Sequence, residues 1–349
     1  MFTKTLLIVG MALSCSGALA ATHLPVERPA AHDLEHALVN RLLAVDSAAD
    51  HTLVVGRRGH ILVSQDQGQN WEQSPSPVSS DLVDIQMVTP KLGFVVGHDG
   101  VVLRTQDAGE SWEKVLDGQQ AAKLIAQYRA EAAELSEDAQ AEYERFEFEG
   151  ADKPFLTVNF INESTGVVLG AFNYAFITRD AGQSWEPLSH RIENSSGFHI
   201  YNSFNHLGMT YAVGEKGLLL RWDPQTERFS ALASPYEGSW FGGVSVGEQI
   251  VLFGLRGTVF VGSPENGWQE VSINTQDSFN NALALDDARV VLITQSGKLY
   301  EIHMQSGQAQ VRELEQSGGM PLYDIEQAGN ALVAVGARGV RQLPLHNNK

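Results

Sequence analysis

A strand–turn–strand pattern recurs seven times along the 349-residue chain at nearly constant spacing. Each copy has a short apolar run, a turn of two or three residues and a second apolar run, as in LVVGRRGHILV at 53–63 and FVVGHDGVVLR at 94–104. The turns begin at positions 56, 97, 170, 214, 254, 294 and 336, so the successive spacings are 41, 73, 44, 40, 40 and 42 residues. A period near 40 residues with several short strands is typical of propeller blades, and seven hairpins therefore predict an all-β, seven-bladed propeller.

Six of the seven turns begin at glycine, which is expected to supply the positive φ that a tight hairpin turn requires. A further strand before each hairpin is expected to be the innermost strand of its blade. The last blade has too little chain after it for an outer strand. We predict that residues 21–30 supply that strand and close the ring, since Pro25 and Pro29 suit an edge strand. The inner-strand segments in blades two to seven are 83–88, 156–161, 198–204, 241–246, 281–286 and 322–327.

An eight-residue motif follows the first three hairpins: SQDQGQNW at 64–71, TQDAGESW at 105–112 and TRDAGQSW at 178–185. A hydroxyl residue followed two positions later by Asp holds a turn through side-chain bonds to backbone N–H groups. The Gly takes a backbone conformation that other residues resist, and the Trp buries a large ring between blades. The residues with these predicted structural roles are Ser64, Asp66, Gly68, Trp71, Thr105, Asp107, Gly109, Trp112, Thr178, Asp180, Gly182 and Trp185.

These three copies are similar to the Asp box, or bacterial neuraminidase repeat, which is a folding device shared by proteins of different activities. The longer pattern around the ring, with Val-Val-Gly before the turn and the Asp box after it, resembles the photosystem II stability and assembly-factor family. The resemblance covers nearly the whole chain after residue 20, apart from 118–150. It implies a non-enzymatic seven-bladed propeller that assists assembly of a membrane complex. Plant and cyanobacterial members have an arginine-rich surface, whereas this chain is acidic.

The chain carries 24 Lys and Arg against 42 Asp and Glu, a formal net charge of −18. This balance argues against a nucleic-acid partner, which usually requires a basic face. At the N-terminus, Lys4, the apolar run 6–13 and a small-residue site at 18–20 predict a secretory signal peptide over residues 1–20. We therefore expect an exported, periplasmic protein whose propeller spans 21–349. The alternative at this end is lipidation at Cys15, the one cysteine, although the residues before it match that motif poorly.

Residues 118–150 interrupt the repeat with an Ala- and Glu-rich segment that predicts one long helix or a helical hairpin, with Ser136 as a cap between two pieces. The segment is either a solvated decoration or an arm that grips a partner. In a propeller blade, the connection to the next blade emerges on the same face as the turn of the hairpin, which joins the second and third strands. The insertion should therefore share a face with the hairpin turns, which carry the candidate partner-binding residues Arg57, Arg58, His98, Lys216, Arg256 and Arg338.

No motif singles out a catalytic residue, a metal site or a cofactor site. The eleven histidines are scattered, and the Gly-x-x-Gly turns join strand to strand rather than strand to helix, as a phosphate-binding loop would. We therefore expect a non-enzymatic, monomeric scaffold or assembly factor for an envelope or inner-membrane protein complex. The alternative is a glycan-binding or glycan-cleaving propeller. Aromatic rings and two facing carboxylates in the axial pocket would favour that alternative.

Overall fold

Seven antiparallel sheets follow one another around a central axis. This computed structural model describes residues 25–132, 135–305, 308–314 and 319–344. Each of the first six sheets has four strands in chain order, and the described part of the seventh has three. The innermost strands of consecutive blades contact one another, and the innermost strands of blades seven and one contact each other as well. The predicted seven-bladed propeller is therefore confirmed.

The strands of each blade run from the innermost to the outermost in chain order. The strands of blades one to three are β1 Leu42–Ala48, β2 His51–Gly56, β3 Ile61–Ser64, β4 Glu72–Ser74, β5 Leu82–Met87, β6 Gly93–Gly97, β7 Val102–Thr105, β8 Glu113–Leu116, β9 Phe155–Phe160, β10 Gly166–Gly170, β11 Ala175–Thr178 and β12 Glu186–Pro187. Those of blades four and five are β13 Ile200–His206, β14 Met209–Gly214, β15 Leu219–Asp223, β16 Arg228–Ala231, β17 Trp240–Val246, β18 Gln249–Gly254, β19 Val259–Ser263 and β20 Gly267–Glu270. Those of blades six and seven are β21 Phe279–Ala284, β22 Arg289–Thr294, β23 Leu299–Gln305, β24 Gln308–Leu314, β25 Leu322–Ala328, β26 Ala331–Gly336 and β27 Gly339–Pro344.

In the described ranges, three α-helices lie outside the sheets. Helix α1 spans Leu34–Val39 near the N-terminus, whereas α2, Gly118–Glu131, and α3, Glu137–Glu149, form the predicted insertion between blades two and three. Ser136 caps α3, because its hydroxyl accepts the N–H of Ala139 at 3.2 Å. None of the helices in the described ranges is long and apolar enough to cross a membrane.

The glycine that begins each hairpin turn has a different role from the one predicted. Gly56 has φ −173°, which is extended backbone, and the positive φ values belong to the third and fourth turn residues, Arg58 at 58° and Gly59 at 74°. Gly56 is required by a close approach instead. A Cβ there would lie 2.5 Å from the carbonyl oxygen of Arg41. That oxygen accepts the N–H of Arg57 at 3.1 Å, so a larger residue at 56 would push the turn away from its neighbour.

The three eight-residue motifs form the turns between the third and fourth strands of their blades. In the second copy, Asp107 accepts the N–H of Ser111 at 2.9 Å, and Thr105 Oγ1 accepts the N–H of Gly109 at 2.9 Å. Gly109, with φ 90°, packs against Leu53 of the preceding blade. The other two turns have equivalent bonds and pack their glycines against Val333 and Phe94 of the blades that precede them. Each motif thus contacts the preceding blade as well as closing its own turn.

Replacing Asp107 by alanine is expected to reduce the free energy of unfolding by about 1 to 2 kcal/mol, because the N–H of Ser111 and the hydroxyls of Thr105 and Ser111 lose their acceptor. Chemical denaturation measures this change. Asp107→Asn, which keeps one acceptor oxygen, should recover part of the loss. Equal stability of the alanine and wild-type proteins would contradict a structural role for this turn.

The N-terminal segment does not form the outer strand predicted for the last blade, at least over its described part, 25–30. Residues Pro25–Glu27 make a single 3-10 turn, and the next residues follow the outer strand of blade one, where Ala30 donates its N–H to the Ser76 carbonyl at 3.1 Å. Prolines at 25 and 29 cannot donate to a ladder, and Val26 is buried among side chains of blades one and two instead. Residues 21–24 lie outside the described ranges.

Among the described residues, helix α1 lies at the boundary between blades seven and one. It contacts both β27 and β4, and the carbonyl of Leu38 lies so close to Gly339 that a Cβ there would be 1.7 Å away. Ala37 is fully buried in the cluster that joins the two blades. A helix that covers an outer strand is one of the ways in which proteins protect a sheet edge from pairing with another chain.

Side chains of the innermost strands connect each blade to the next. In most pairs, a side-chain oxygen of one blade accepts a backbone N–H of the blade that follows. The pairs are Asp324 with Val45 at 2.8 Å, Asp46 with Met87 at 2.5 Å, Asp84 with Val158 at 2.9 Å, Gln86 with Phe160 at 2.6 Å, Thr157 with Ser203 at 3.2 Å and Asn202 with Gly243 at 3.4 Å. We call this set the inner belt. It includes the contact between blades seven and one that closes the ring.

Candidate partner-binding face

The hairpin turns between the second and third strands all emerge on one face, which we call the turn face. The residue before each inner strand accepts, through its carbonyl, the N–H of the turn residue that follows the second strand. Arg57 is bonded in this way to Arg41 at 3.1 Å, and the same bond recurs in all seven blades. The other six pairs are His98 with Asp81, Ala171 with Pro154, Glu215 with His199, Leu255 with Ser239, Gln295 with Ser278 and Ala337 with Pro321.

This bond holds each turn at its base, and the next residue lies at the tip of the turn. In five of the seven turns that residue has a left-handed backbone conformation, with φ between 48° and 58°. We call the seven equivalent positions the display residues, and all except Asp99, which is half-buried, are exposed. They are Arg58, Asp99, Phe172, Lys216, Arg256, Ser296 and Arg338.

Four of the seven display residues are basic, although the chain as a whole is strongly acidic. Across the described ranges, Arg58, Lys216, Arg256 and Arg338 have no carboxylate within ion-pair distance. Lys216 lies over the ring of Phe198, 5.3 Å from its centre. Exposed cations without partners are available to carboxylates of another molecule.

The structure places the six predicted site residues in the turns, but with different environments. Arg57 pairs with Asp81 at 3.3 Å, so its charge is partly satisfied, whereas Arg58 projects from the same turn. His98 precedes Asp99, whose carboxylate accepts the Ser80 hydroxyl at 2.6 Å. The chain from Leu38 to Arg41 runs from the blade-seven turn to the blade-one turn, since these residues contact Gly339 and Arg57.

Arg41 belongs to this basic surface, and the sequence analysis did not identify it. Its side chain is exposed and its guanidinium lies over the ring of Tyr323, 5.5 Å from the centre. The repeat itself indicates that Arg41 lies on this face, because Arg41 is the residue immediately before an inner strand, beside the hairpin turn. Only a seven-fold alignment of the blades reveals that position.

The helical insertion is attached to the same face, as predicted. Asp117 caps α2, and Gly118 lies against Gly100 in the blade-two turn. Further along, Arg145 of α3 donates to the carbonyl of the display residue Phe172 at 3.3 Å. We call α2 and α3 together the arm.

A half-buried histidine joins the two arm helices to blade three. His190 lies 2.6 Å through Nδ1 from the hydroxyl of Tyr143 and 3.0 Å through Nε2 from that of Tyr128. Arg191 donates to Nε2 at 3.2 Å, so that nitrogen is an acceptor and the ring is neutral. Burial, together with the charges of Arg191 and Arg228, lowers the pKa of His190 to about 4. The imidazole of His190 is therefore unprotonated at neutral pH, where its contacts with the two tyrosine hydroxyls persist.

Two phenylalanines are exposed where the arm meets the ring. Phe148 of α3 is 92% exposed, and Phe172 is 45% exposed at its display position. From Phe172 a series of ring contacts leads over the turn face towards the axis, through His199 at 4.4 Å to Tyr201 at 6.0 Å and then to Phe241 at 5.6 Å. Exposed aromatic residues beside unpaired cations are the composition that protein interfaces favour.

A cleft of about 630 Å³ separates α3 from the loop that follows blade three. Glu142 lies in it, accepting a bond from Asn173 at 3.0 Å, and burial raises the pKa of this carboxyl above its usual range. The cleft is also lined by Arg145, His190 and the segment 192–197. It therefore presents side chains of both signs of charge.

The axial cavity carries a different set of groups. Four carboxylates line it, from Asp46, Asp84, Asp324 and Glu326, whereas its one aromatic residue is Phe204, which is 9% exposed. Of the two features that would favour a glycan site, the carboxylates are present and the converging rings are not. In the part of the chain that the structure describes, no three acidic, histidine or cysteine side chains are close enough to hold one metal ion directly.

Comparison with known proteins identifies the sequence pattern and the fold. Residues 33–147 match the family described as "Photosynthesis system II assembly factor YCF48". The resemblance to that family is thus confirmed over blades one and two, and the match extends into the arm, which the repeat analysis had set outside the resemblance. No curated protein sequence matches the chain.

Several solved structures share the fold at low sequence identity. YCF48 from Cyanidioschyzon merolae is 16% identical with a TM-score of 0.64, and the match covers 87% of this chain and 95% of that one. A structure of YCF48 bound to D1 peptide is 14% identical with the same TM-score, over 89% and 95% of the two chains. The structure of U3-55K is also similar, at 12% identity, a TM-score of 0.64 and coverage of 88% and 96%. At these identities the likeness establishes the propeller fold alone.

Proposed function

We propose that this chain is a non-enzymatic assembly factor that binds a segment of a membrane protein complex on its turn face. The observation that carries the proposal is the convergence on this face of four unpaired basic display residues, two exposed phenylalanines and the arm. The similarity to YCF48, one structure of which is described as bound to D1 peptide, supports a protein-binding role. The partner segment would carry carboxylates to pair with the display cations and an apolar side chain to contact Phe148 or Phe172.

The proposal includes export. The charged start, apolar run and small-residue site in residues 1–20 support a signal peptide, and these residues lie outside the described ranges. An exported propeller would meet its partner at an envelope or inner membrane, acting as a monomer without a cofactor. Lipidation at Cys15 is the alternative means of reaching that membrane.

The glycan alternative is less well supported by the axial cavity. Each of Asp46, Asp84 and Asp324 accepts a backbone N–H of the next blade, so these carboxylates have structural partners. A sugar site also needs aromatic platforms or a free pair of carboxyl groups with a cleft between them. We therefore favour a protein partner.

Crosslinking of the tagged protein in its native cells tests the proposal. We expect one integral membrane protein to be recovered from the membrane fraction by the wild-type chain, and its recovery to fall when Arg57, Arg58 and Arg338 are replaced by glutamate. Retention on glycan or cell-wall resin, with no membrane protein recovered, would contradict the proposal and favour the glycan alternative.

A further inference from the structure

The axial cavity concentrates negative charge that no basic residue balances. Its volume is about 390 Å³, and the described residues that line it include four carboxylates but no lysine, arginine or histidine. Burial is the main cause that raises the pKa of Asp46 to about 7, of Asp84 to about 6 and of Glu326 to about 8, and it raises the pKa of Asp324 as well. Ionising all four carboxyls together is unfavourable unless a cation enters the cavity.

The carboxylates occupy one side of the cavity. They come from blades seven, one and two, which are adjacent in the ring. The facing side, from blades three and four, presents neutral amides and a hydroxyl instead, from Asn159, Asn202, Ser203 and Asn205. Asn281 of blade six lies beside the carboxylates and donates its amide N–H to Asp324.

The side-chain amide of Asn159 is not fully hydrogen-bonded. Asn159 is 3% exposed, and among the described residues its side-chain oxygen has no hydrogen-bond donor. A buried acceptor without a donor costs about 1 to 3 kcal/mol, so such groups are normally satisfied by water or an ion. Oxygen ligands from carboxylates and amides, with no nitrogen or sulfur, are the set that hard divalent cations prefer.

The arrangement of the carboxylates suits an ion that keeps its water rather than one bound directly by three of them. No three of the acidic groups in the described ranges are close enough to share one bare ion. A cavity of this size has room for several waters, since each occupies about 30 Å³ in the liquid. Mg²⁺ dehydrates reluctantly and commonly binds through its waters, whereas Ca²⁺ prefers six to eight direct oxygen ligands.

We propose that the axial cavity binds one hydrated divalent cation, of the Mg²⁺ class, between the carboxylates of blades seven, one and two and the unpartnered amide oxygen of Asn159. The ion compensates the negative charge of Asp324, Asp46 and Asp84, which connect successive blades in the inner belt. The site is independent of the partner-binding face and concerns a small ligand rather than a protein.

Titration calorimetry of the chelator-treated full chain with MgCl₂, at constant ionic strength in KCl, tests the site. At pH 8 we expect saturable binding of one ion per chain, and about tenfold weaker binding at pH 6, because protons compete for the carboxylates. Binding at pH 7 should also release protons, so the measured heat should change with the ionisation enthalpy of the buffer. Absence of saturable binding below about 1 mM, the weak end of protein cation sites, would overturn the proposal.

Variants distinguish the cavity from the acidic surface. Glu326→Gln removes a carboxylate whose one side-chain bond is to the N–H of Gln327, and it should weaken Mg²⁺ binding about tenfold at pH 8. Asp46→Asn removes the charge and keeps one acceptor oxygen for the N–H of Met87, while the bond from the N–H of Ser47 is lost, so it should weaken Mg²⁺ binding in the same direction.

The control is Glu237→Gln with Glu270→Gln, two exposed carboxylates away from the axis. It should bind Mg²⁺ as the wild type does. Equal weakening in the control and in the Glu326→Gln, Asp46→Asn double variant would assign the heat to the surface and overturn the site. Ca²⁺ binding more than about tenfold tighter than Mg²⁺ would overturn the hydrated-ion geometry.

Discussion

Replacing Tyr143 by alanine is expected to detach the arm from the ring while the blades remain folded. Tyr143 is fully buried, and its hydroxyl is the 2.6 Å partner of His190. Truncating a buried aromatic side chain costs about 3 to 5 kcal/mol, which exceeds what two short helices can recover from their own propensity. Hydrogen exchange should show loss of protection over 118–149, with the inner strands unchanged.

Phe148→Ala is the matched control, because it removes an aromatic ring from the same helix at a position that is 92% exposed. It should change stability by no more than about 0.5 kcal/mol. Tyr143→Phe, which keeps the ring and removes the hydroxyl, should lie between the two at about 1 to 2 kcal/mol. Equal exchange rates in the arms of Tyr143→Ala and Phe148→Ala would show that the arm is not held by this contact.

Reversing the four basic display residues is expected to weaken binding of the proposed membrane partner at least about 100-fold, which corresponds to about 2.7 kcal/mol. The variant combines Arg58→Glu, Lys216→Glu, Arg256→Glu and Arg338→Glu. These residues are exposed and have no ion-pair partner within the described ranges, so the folded ring should tolerate the change. The measurement is recovery of the crosslinked membrane protein from solubilised membranes over a series of salt concentrations.

Wild-type recovery should fall as salt rises, because exposed charges are screened, whereas the residual recovery of the variant should not. A matched pair of double variants controls for net charge. Lys216→Glu with Arg256→Glu should reduce recovery, and Lys91→Glu with Arg341→Glu should not, since Lys91 is on the opposite face and Arg341 lies within the outer strand β27. Equal loss in both doubles would assign binding to overall charge rather than to the turn face.

The number of blades could be predicted from the sequence because each blade is specified locally. A hairpin and its neighbouring strands lie within about 40 consecutive residues, and their apolar runs repeat in register. The N-terminal strand could not be predicted in this way. Whether residues 25–30 pair with blade seven or pack on blade one depends on tertiary contacts of Val26 and Ala30, which no local pattern encodes.

The composition of the turn face was predicted in outline, whereas the carboxylates of the axial cavity were not. Glycine-bounded turns with Arg or Lys between them identified Arg58, Lys216, Arg256 and Arg338. Arg41 and the axial carboxylates lie outside those turns. Polar residues recur at alternate positions of inner strands, as at Asp84, Gln86 and Asn159, and this departure from an apolar core was the available signal. These polar residues can be assigned to one axial cavity only when the seven inner strands are placed around one axis.

The order of strands within each sheet has a consequence for synthesis of the chain. In the described residues every sheet is built from strands that follow one another directly, and blade seven meets blade one through Asp324 and helix α1 rather than through a shared strand. No described strand near the N-terminus pairs with a strand some 300 residues later. The pairings within each sheet are close in sequence, which lowers the loop-closure cost of forming a blade. Each blade can therefore form as its own residues emerge from the ribosome or translocon, and the last step is the docking of two finished surfaces.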